Sequence, residues 1–386
     1  MKLKLKHFYI FLIITLFACK SEPGKLLQED LLGNEINLNY AKGFTAKDYG
    51  TYIILKINSP WPNAENEYRF ALLKKGFDTD KINWSYEKSR FDDVFEIPIE
   101  KIVVTSTTHI PALELLNVEQ TLVGFPGTDY VSSERTRNLI DEGKVRELGK
   151  NEGINTEVLL ELRPDIVVGF GIDGNNRTFE TIKKSGIPVI YNGDWVEESP
   201  LAKAEWIKFF GILFGKEKEA DSIFNQIEKD YLEAKKLAQN VTHRPTILSG
   251  ALEKDIWYLP SGTSPEAKLL KDANLDYLWN NTQASGSLAL SFESVFEKAQ
   301  NAEIWISPSY YSSLEALQKA NEHYTQFNAF KNKKIFSFVN TKGSKGGITY
   351  FELGTTRPDL VLKDLIKICH PQLLQDYQTS FFKSLK

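Results

Sequence analysis

Apolar residues recur at every third or fourth position between Glu217 and Gln239. The recurring positions are Ala220, Ile223, Phe224, Ile227, Tyr231, Ala234, Leu237 and Ala238. This spacing places them on one stripe of a helix, and no Gly or Pro interrupts the segment. At about 1.5 Å per residue the helix spans roughly 34 Å, more than is needed to cover one small sheet. We therefore interpret it as a helix that joins two folded units.

Short apolar strands alternate with helical segments on both sides of this helix. Before it, the pattern predicts strands at 101–105, 121–124, 165–168 and 188–191, and helices at 110–116, 155–162, 178–185 and 201–214. After it, the pattern predicts strands at 246–249, 256–259, 303–306 and 334–339, and helices at 265–273, 292–299, 313–320 and 358–368. Such alternation indicates parallel sheets covered on both faces. The predicted fold class is α/β, with two three-layer lobes joined by one long helix.

The segment 40–99 is instead rich in β-branched and aromatic residues. Strands are predicted at 51–57 and 68–73, separated by a turn that contains Asn, Ser and Pro. We predict a small antiparallel β appendage at the N-terminal side of the first lobe. Its Trp61 and Trp84 are either ligand contacts or packing residues, and packing on the neighbouring lobe is the favoured interpretation.

The N-terminus has the pattern of an export signal. Lys2, Lys4 and Lys6 precede an apolar run at 8–17, which is too short to span a bilayer. The run ends in Leu-Phe-Ala-Cys at 16–19, which resembles the bacterial lipobox and implies lipidation of Cys19. The alternative is a chance cysteine in an uncleaved anchor. We predict an exported bacterial lipoprotein, periplasmic or anchored by its lipid at the outer face of a membrane.

These patterns together predict the domain organisation. The predicted units are 1–18 as signal peptide, 19–39 as lipid-anchored tether, 40–99 as β-rich appendage, 100–216 as N-terminal lobe, 217–240 as interlobe helix and 241–386 as C-terminal lobe.

Composition adds two constraints. Cys369 is the only cysteine besides Cys19, so the exported chain can form no internal disulfide. Cys369 follows an apolar helical segment, and we interpret it as a buried small side chain rather than a reactive thiol. The net charge of −4, with no strongly basic block after the N-terminus, argues against a nucleic-acid partner.

Five segments, in order along the chain, resemble elements of the periplasmic binding proteins for iron complexes and cobalamin. They are KIVVT at 101–105 with LVG at 122–124, EVLLELRPDIVV at 157–168, KSGIPVI at 184–190, SFE at 291–293 with AEIWI at 302–306, and RPDLVLKDLI at 357–366 with HPQLL at 370–374. The likeness covers roughly residues 100–375. It implies two α/β lobes joined by one long helix, in agreement with the periodicity.

The same resemblance implies a membrane partner. Each lobe of the family carries a Glu that docks on Arg residues of the permease, and these positions match Glu157 and Glu293. One carboxylate on each lobe suits charge-assisted pairing with a symmetric partner. The alternative is that each Glu only stabilises a helix N-terminus. The implied partners are an ABC permease and its ATPase.

The expected binding site is the cleft between the lobes, because ligands of parallel α/β sheets bind beyond the C-terminal ends of the strands. The cleft candidates are His109, Phe125, Tyr130, Phe170, Arg177, Trp195, Trp257, Tyr310, Tyr350 and Arg357. Further cations in the same loops are Arg135, Lys342 and Lys345. Aromatic walls suit a large planar or catecholate ligand, and the cations suit an anionic iron chelate. For any single aromatic residue, structural packing is the alternative.

One motif indicates an enzyme instead. Gly169, Gly171 and Gly174 form a G-x-G-x-x-G that follows a predicted strand, with Asp194 about 20 residues later, which is the dinucleotide fingerprint. However, the loop continues past the glycines, whereas the fingerprint needs the helix to begin within them. The five histidines lack metal-ligand spacing.

The sequence therefore predicts a non-enzymatic substrate-binding protein of an ABC importer, without a cofactor, that captures a ferric siderophore or similar iron complex. The alternatives are cobalamin or haem as ligand and, from another class, an NAD-dependent oxidoreductase.

Overall fold

The computed structural model describes residues 33–386, except 77, 79–82, 152, 175 and 285. The predicted signal peptide, the lipidation site Cys19 and most of the predicted tether lie outside the described residues. Within the described part of the chain, no helix combines the length and the apolar character that a bilayer crossing requires.

The N-terminal appendage is a five-stranded sheet. Its elements are β1 Asn34–Glu35, β2 Phe44–Asp48, β3 Tyr52–Ile57, β4 Tyr68–Lys74, α1 Trp84–Arg90 and β5 Asp93–Ile97. The sheet is mixed rather than antiparallel as predicted, because β5 pairs parallel with β4. A parallel neighbour requires a crossover connection, and the segment that contains α1 provides it. The prediction missed α1 and therefore the crossover.

The N-terminal lobe contains a parallel sheet in the order β12-β11-β6-β7-β8. Its strands are β6 Ile102–Val104, β7 Leu122–Phe125, β8 Arg146–Glu147, β11 Ile166–Gly169 and β12 Val189–Tyr191, with a separate pair β9 Gly149–Lys150 and β10 Gly153–Ile154. Its helices are α2 Ile110–Leu115, α3 Glu134–Asp141, α4 Thr156–Leu162, α5 Arg177–Lys184, α6 Pro200–Glu205 and α7 Ile207–Leu213. The predicted single helix at 201–214 is thus two helices. They meet at Trp206, whose ψ of −8° departs from the ideal helical value of about −42°.

α8, Glu217–Gln239, follows directly and has the length that the periodicity predicts. Its apolar stripe is divided between two hydrophobic cores. Ala220, Phe224 and Ile227 pack in the core of the N-terminal lobe and the appendage. Tyr231, Ala234 and Ala238 pack in the core of the C-terminal lobe. One helix thus belongs to both lobes.

The C-terminal lobe contains a second sheet in the order β16-β13-β18-β19-β20. Its elements are β13 Thr246–Ser249, β14 Ala251–Glu253, β15 Ile256–Pro260, α9 Pro265–Asp272, β16 Asp276–Tyr277, β17 Ser287–Leu290, α10 Phe292–Ala299, β18 Ile304–Ile306, α11 Leu314–Ala320, α12 Asn328–Lys331, β19 Ile335–Ser337, α13 Thr349–Leu353, α14 Pro358–Cys369 and β20 Lys383–Ser384. The sheet is parallel except for β20, which pairs antiparallel with β19. The predicted strand at 256–259 does not belong to this sheet. It is β15 of a separate antiparallel sheet, β14-β15-β17.

Without the edge strands β8 and β20, the two large sheets share one strand order. In the N-terminal lobe this order is β7-β6-β11-β12, so the first strand, β6, lies between β7 and β11. In the C-terminal lobe the order β16-β13-β18-β19 repeats this arrangement. The halves of the chain therefore correspond in topology, and the C-terminal ends of both sheets supply loops to the space between the lobes.

The segment between β1 and β2 of the appendage is anchored to α6 and α7. The Glu205 carboxylate accepts hydrogen bonds from the backbone N–H groups of Asn39, Tyr40 and Ala41 at 2.9, 2.7 and 2.8 Å. Lys208 donates to the Asn37 carbonyl and pairs with Glu205 at 3.1 Å. These buried charges are stabilised because each has several partners. The appendage is thereby held against the wall of the interlobe space.

Cys369 is buried at the end of α14. Burial raises the pKa of its thiol, which keeps it protonated and unreactive. The interpretation of Cys369 as a small core residue is therefore confirmed.

Candidate functional site

The interlobe cavity, with a volume of about 1030 Å³, lies between the two lobes. Its N-terminal wall is formed by residues 195–198 and by Lys203 on α6. Its C-terminal wall is formed by 249–251, the β14–β15 hairpin and the start of α9, together with Gln283, Gly286, Ser287, Ser307 and Ser309. Pro62 and Asn63 of the appendage complete it. The cavity thus has contributions from all three parts of the fold.

Strand ends explain why these loops meet. β12 ends at Tyr191, β13 at Ser249 and β18 at Ile306, and the residues that follow each strand line the cavity. This agrees with the rule that parallel sheets bind ligands at their C-terminal ends. Asn63, Ser307 and Ser309 line the cavity with a positive φ of 59°, 56° and 51°. Non-glycine residues in this strained region concentrate at binding sites.

Two aromatic side chains face the cavity. Trp195 was expected from the sequence, and its ring packs on that of Phe170 with centroids 5.6 Å apart. Phe170, also a predicted site residue, therefore supports Trp195 rather than lining the cavity itself. Tyr258 of β15 lines the opposite wall with 42% of its surface exposed. Aromatic side chains on two walls allow a bound ligand to be held between them.

The N-terminal wall carries a buried acid. Asp194 is 5% exposed, and burial raises the pKa of its carboxyl to about 6. The positive charge of Lys203 and a hydrogen bond from the Thr108 side chain act in the opposite direction. Glu197, next along the same loop, accepts hydrogen bonds from the N–H groups of Lys42 and Gly43 at 2.9 and 2.8 Å. The wall is thus built on a network of buried carboxylates.

The other half of the space between the lobes is closed by direct contact. Glu352 of α13 accepts hydrogen bonds from the N–H groups of Ser132 and Ser133 in the N-terminal lobe, at 2.6 and 2.9 Å. Beside it, a Cβ added at Gly347 would lie 2.2 Å from the Tyr130 carbonyl oxygen. The lobes therefore approach each other backbone to backbone at this contact.

Three predicted site residues are buried in hydrophobic packing rather than placed on the cavity wall. Phe125 is 2% exposed and lies in the core of the N-terminal lobe. Trp257 is fully buried and donates its Nε1–H to the Ser249 carbonyl at 2.9 Å. His109 is 1% exposed against Phe210, and burial lowers its pKa to about 3, so it is neutral. The structure assigns all three a packing role.

The remaining predicted site residues also lie away from the cavity lining. Tyr130 and Tyr310 are 72% and 70% exposed. Tyr350 stacks on Phe338 with centroids 4.5 Å apart. Arg177 is the first, exposed residue of α5, and Arg357 forms a bidentate pair with Asp359 at 2.8 and 2.7 Å. Of the ten predicted residues, only Trp195 lines the cavity.

The glycine motif that indicated a dinucleotide site has a different role. α5 begins at Arg177, after the last glycine of the motif, so no helix N-terminus lies within the loop. A Cβ added at Gly171 would lie 3.3 Å from the Trp61 ring. The loop therefore packs on Trp61 of the appendage. Asp194, the expected ribose ligand, is buried.

Glu157 and Glu293 occupy equivalent positions. Each is an exposed residue in the first turn of its helix, two positions after the N-cap residue, Asn155 in α4 and Ser291 in α10. α4 leads into β11 and α10 leads into β18. These two strands hold the same place in the strand order that the sheets share. The correspondence between the two lobes thus extends to these carboxylates.

The β14–β15 hairpin and the appendage loop at 62–63 line the cavity, and their lining residues were not predicted as site residues, although a strand was predicted at 256–259. The hairpin had a detectable signal, since a polar Glu-Lys-Asp turn at 253–255 separates the end of one predicted strand from the strand predicted at 256–259. Pro62 and Asn63 had only a turn signal, which indicates a loop but not its neighbour. Their place in the cavity wall depends on how the appendage docks.

Residues 102–340, which include most of both lobes, match the family model described as periplasmic binding protein. An uncharacterized lipoprotein of Methanocaldococcus jannaschii is 27% identical over 319 residues, covering 80% of this chain and 75% of the relative.

Solved structures show the same likeness of fold. A periplasmic heme binding protein from Pseudomonas aeruginosa is similar with a TM-score of 0.57 and 16% identity, over 75% of this chain and 98% of that one. A possible iron-binding (periplasmic solute-binding) protein from Staphylococcus epidermidis is similar with a TM-score of 0.54 and 18% identity, over 70% of this chain and 98% of that one.

Proposed function

The chain belongs to the periplasmic binding protein family, and from that premise we propose that it is the lipid-anchored substrate-binding protein of an ABC importer. Its substrate is a ferric siderophore or a similar iron complex, which it captures between its lobes and delivers to a permease. The lipobox-like sequence at 16–19 and the lipoprotein relative support the anchor.

The observation that carries the proposal is the interlobe cavity. Its volume of about 1030 Å³ is at the upper end of the range of about 300–1,000 Å³ for small-molecule pockets, which suits a large ligand. Its wall combines the aromatic faces of Trp195 and Tyr258 with serine, threonine and glutamine side chains. Such a wall binds a ligand that has both apolar surface and several oxygen acceptors.

Docking on the permease is part of the proposal. Glu157 and Glu293 form no ion pair within the described part of the chain, and both are exposed. Their equivalent placement on the two lobes suits a partner with two similar halves. A surface carboxylate without an internal partner is available for an Arg of another protein.

The experiment is a titration of the purified protein with ferric siderophores, cobalamin and haem, followed by calorimetry and by tryptophan quenching. We expect one iron complex to bind with a Kd of about 1 μM or below. Trp195→Ala should weaken that binding about tenfold or more, because an aromatic side chain in the wall is lost. The control, Leu232→Ala, removes an exposed apolar side chain on α8, outside the cavity.

Other outcomes would redirect the proposal. Binding of cobalamin or haem alone would change the substrate but keep the importer function. Binding of none of the three together with tight binding of NAD would contradict the importer function.

A further inference from the structure

We infer that the interlobe cavity prefers an iron complex that carries a positively charged group over a neutral or anionic complex of the same scaffold. This inference rests on the proposed function and names the class of substrate within it. It opposes the expectation from the sequence, in which scattered cations suggested an anionic chelate.

The charged residues of the cavity wall are predominantly acidic. The lining contains Glu197, Glu198, Glu253 and Glu266 and a single cation, Lys203. Glu253 and Glu266 are exposed, and neither forms an ion pair with another described residue. Glu198 has Lys42 at 3.9 Å. Unpaired carboxylates at the wall of a cavity create a negative potential there and favour a cationic ligand.

The one cation of the wall has an acid beside it. Lys203 acts electrostatically on the buried Asp194 of the same lobe, whose carboxyl also accepts a hydrogen bond from Thr108. An ammonium near a carboxylate contributes less positive potential to the cavity than an isolated one would. Lys203 therefore offsets the four glutamates of the lining only in part.

The cations that the sequence suggested are placed elsewhere. None of His109, Arg135, Arg177, Lys342, Lys345 and Arg357 lines the cavity. Arg135 pairs with Glu119 and Arg357 with Asp359. An anionic chelate would thus meet four glutamates and only one lysine in the cavity lining, and the excess of negative charge would repel it.

In the part of the chain that the structure describes, two buried donors without acceptors lie in the loop that forms the N-terminal wall, one in the lining residue Trp195 and one in Asn192 behind it. The indole Nε1 of Trp195 is buried without a hydrogen-bond partner among the described residues. Asn192, 1% exposed in the same loop, uses its Oδ1 to accept from the Asp194 N–H, but its Nδ2 has no partner. Buried donors left unpaired are unfavourable, so a ligand whose oxygen acceptor reaches the indole N–H of the lining residue Trp195 is favoured. Hydroxamate oxygens are acceptors of this kind and leave the ferric centre uncharged.

The test uses one scaffold in three charge states. The probes are a linear ferric trihydroxamate with a free primary amine, its N-acetyl derivative and its N-succinyl derivative, which are cationic, neutral and anionic at neutral pH. At low ionic strength we expect the cationic complex to bind about tenfold more tightly than the neutral one, with the anionic complex weakest. The preference should shrink as salt is added, because the carboxylates are exposed.

Variants show whether the glutamates cause the preference. The double variant Glu253→Gln, Glu266→Gln should bring the ratio of cationic to neutral affinity close to one. Glu233→Gln, which neutralises an exposed carboxylate on α8 outside the cavity, should leave that ratio unchanged.

Two outcomes would overturn the inference while the proposed function stands: tighter binding of the anionic complex than of the cationic one, or an unchanged ratio in the double variant. Failure of all three probes and of other ferric chelates to bind would instead contradict the proposed function, and the inference with it.

Discussion

The carboxylate of Glu352 in the C-terminal lobe accepts a 2.9 Å hydrogen bond from the backbone N–H of Ser133, the N-cap residue of α3 in the N-terminal lobe. The acid is 3% exposed, and burial raises its pKa to about 7 although the N–H groups of Ser132 and Ser133 favour the charged form. The principal polar contact between the lobes at this end thus involves a group that titrates near neutral pH.

This contact predicts a pH dependence of stability. The folded-state pKa of Glu352 lies above its ordinary value of 4.5, so the folded protein holds a proton that the unfolded chain releases. Lowering the pH from about 7 towards 4.5 should therefore stabilise the fold, by on the order of 3 kcal/mol from this group. The measurement is urea unfolding at several pH values for the wild type and for Glu352→Gln.

The comparison isolates Glu352. The raised pKa of Asp194 also makes stability depend on pH, but it does so equally in both proteins and therefore cancels. We expect the free energy of unfolding of the wild type to rise relative to that of Glu352→Gln as the pH falls through this window. Parallel pH profiles for the two proteins would show that Glu352 is not the responsible group.

A second prediction concerns the backbone contact beside Glu352. Gly347→Ala would place a Cβ 2.2 Å from the Tyr130 carbonyl oxygen, which lies next to residues held by Glu352. The lobes must shift apart, and the free energy of unfolding should fall by about 1–3 kcal/mol. Gly153→Ala is the matched control, since no atom lies within 4 Å of its added Cβ. Equal stabilities of the two variants would contradict the close approach.

A third prediction concerns the two cores that share α8. Phe224 is fully buried, with its ring 6.0 Å from that of Tyr40 and the Lys208 ammonium 5.1 Å above it. Phe224→Ala should lower the free energy of unfolding by about 3–5 kcal/mol. Leu232→Ala, at a 45% exposed position of the same helix, should change it by less than about 0.5 kcal/mol. A comparable decrease in the free energy of unfolding in both variants would mean that the buried apolar stripe of α8 contributes no more to stability than its exposed face.

A fourth prediction concerns motion. α8 is one continuous helix whose side chains lie in both cores, and Glu352 and Gly347 join the lobes at the far end of the cleft. Ligand binding should therefore leave the lobes almost in place, because a single packed helix does not swing as flexible crossing strands do. Small-angle scattering curves with and without the iron complex should nearly superimpose. A large decrease in the radius of gyration would refute this.

A fifth prediction concerns delivery to the permease. The double variant Glu157→Ala, Glu293→Ala should abolish uptake of the iron complex into cells while its affinity for that complex is unchanged. Both residues are exposed and lie in the first turns of α4 and α10, so the fold should tolerate the change. Uptake is measured with radioactive iron, and affinity by calorimetry on the purified variant. Normal uptake would refute the docking assignment.

Local patterns were sufficient for the architecture. The apolar periodicity of 217–239 depends on residues only three or four positions apart, and so does the alternation of short strands with helices. Such local patterns can be recognised in the sequence alone. The signature at 157–168 indicated the family, and it lies within residues 102–340, which match the family model. The second signature, at 357–366, lies beyond the matched residues and stays a resemblance. The parallel crossover through α1 was not predicted, because the residues before α1 show no clear helical or strand periodicity.

The chemistry of the site was decided only by the tertiary structure. Trp195, Trp257 and Phe125 all follow or lie in strands and look alike in the sequence, yet only Trp195 faces the cavity. Which face a side chain takes depends on sheet register and on what packs against it, and these contacts join residues far apart in the chain. The sequence by itself therefore determined the two lobes, the shared helix and the family. The position of Pro62 and Asn63, the contact of Glu352 with Ser133 and the acidic wall of the cavity arise only when the lobes and the appendage meet.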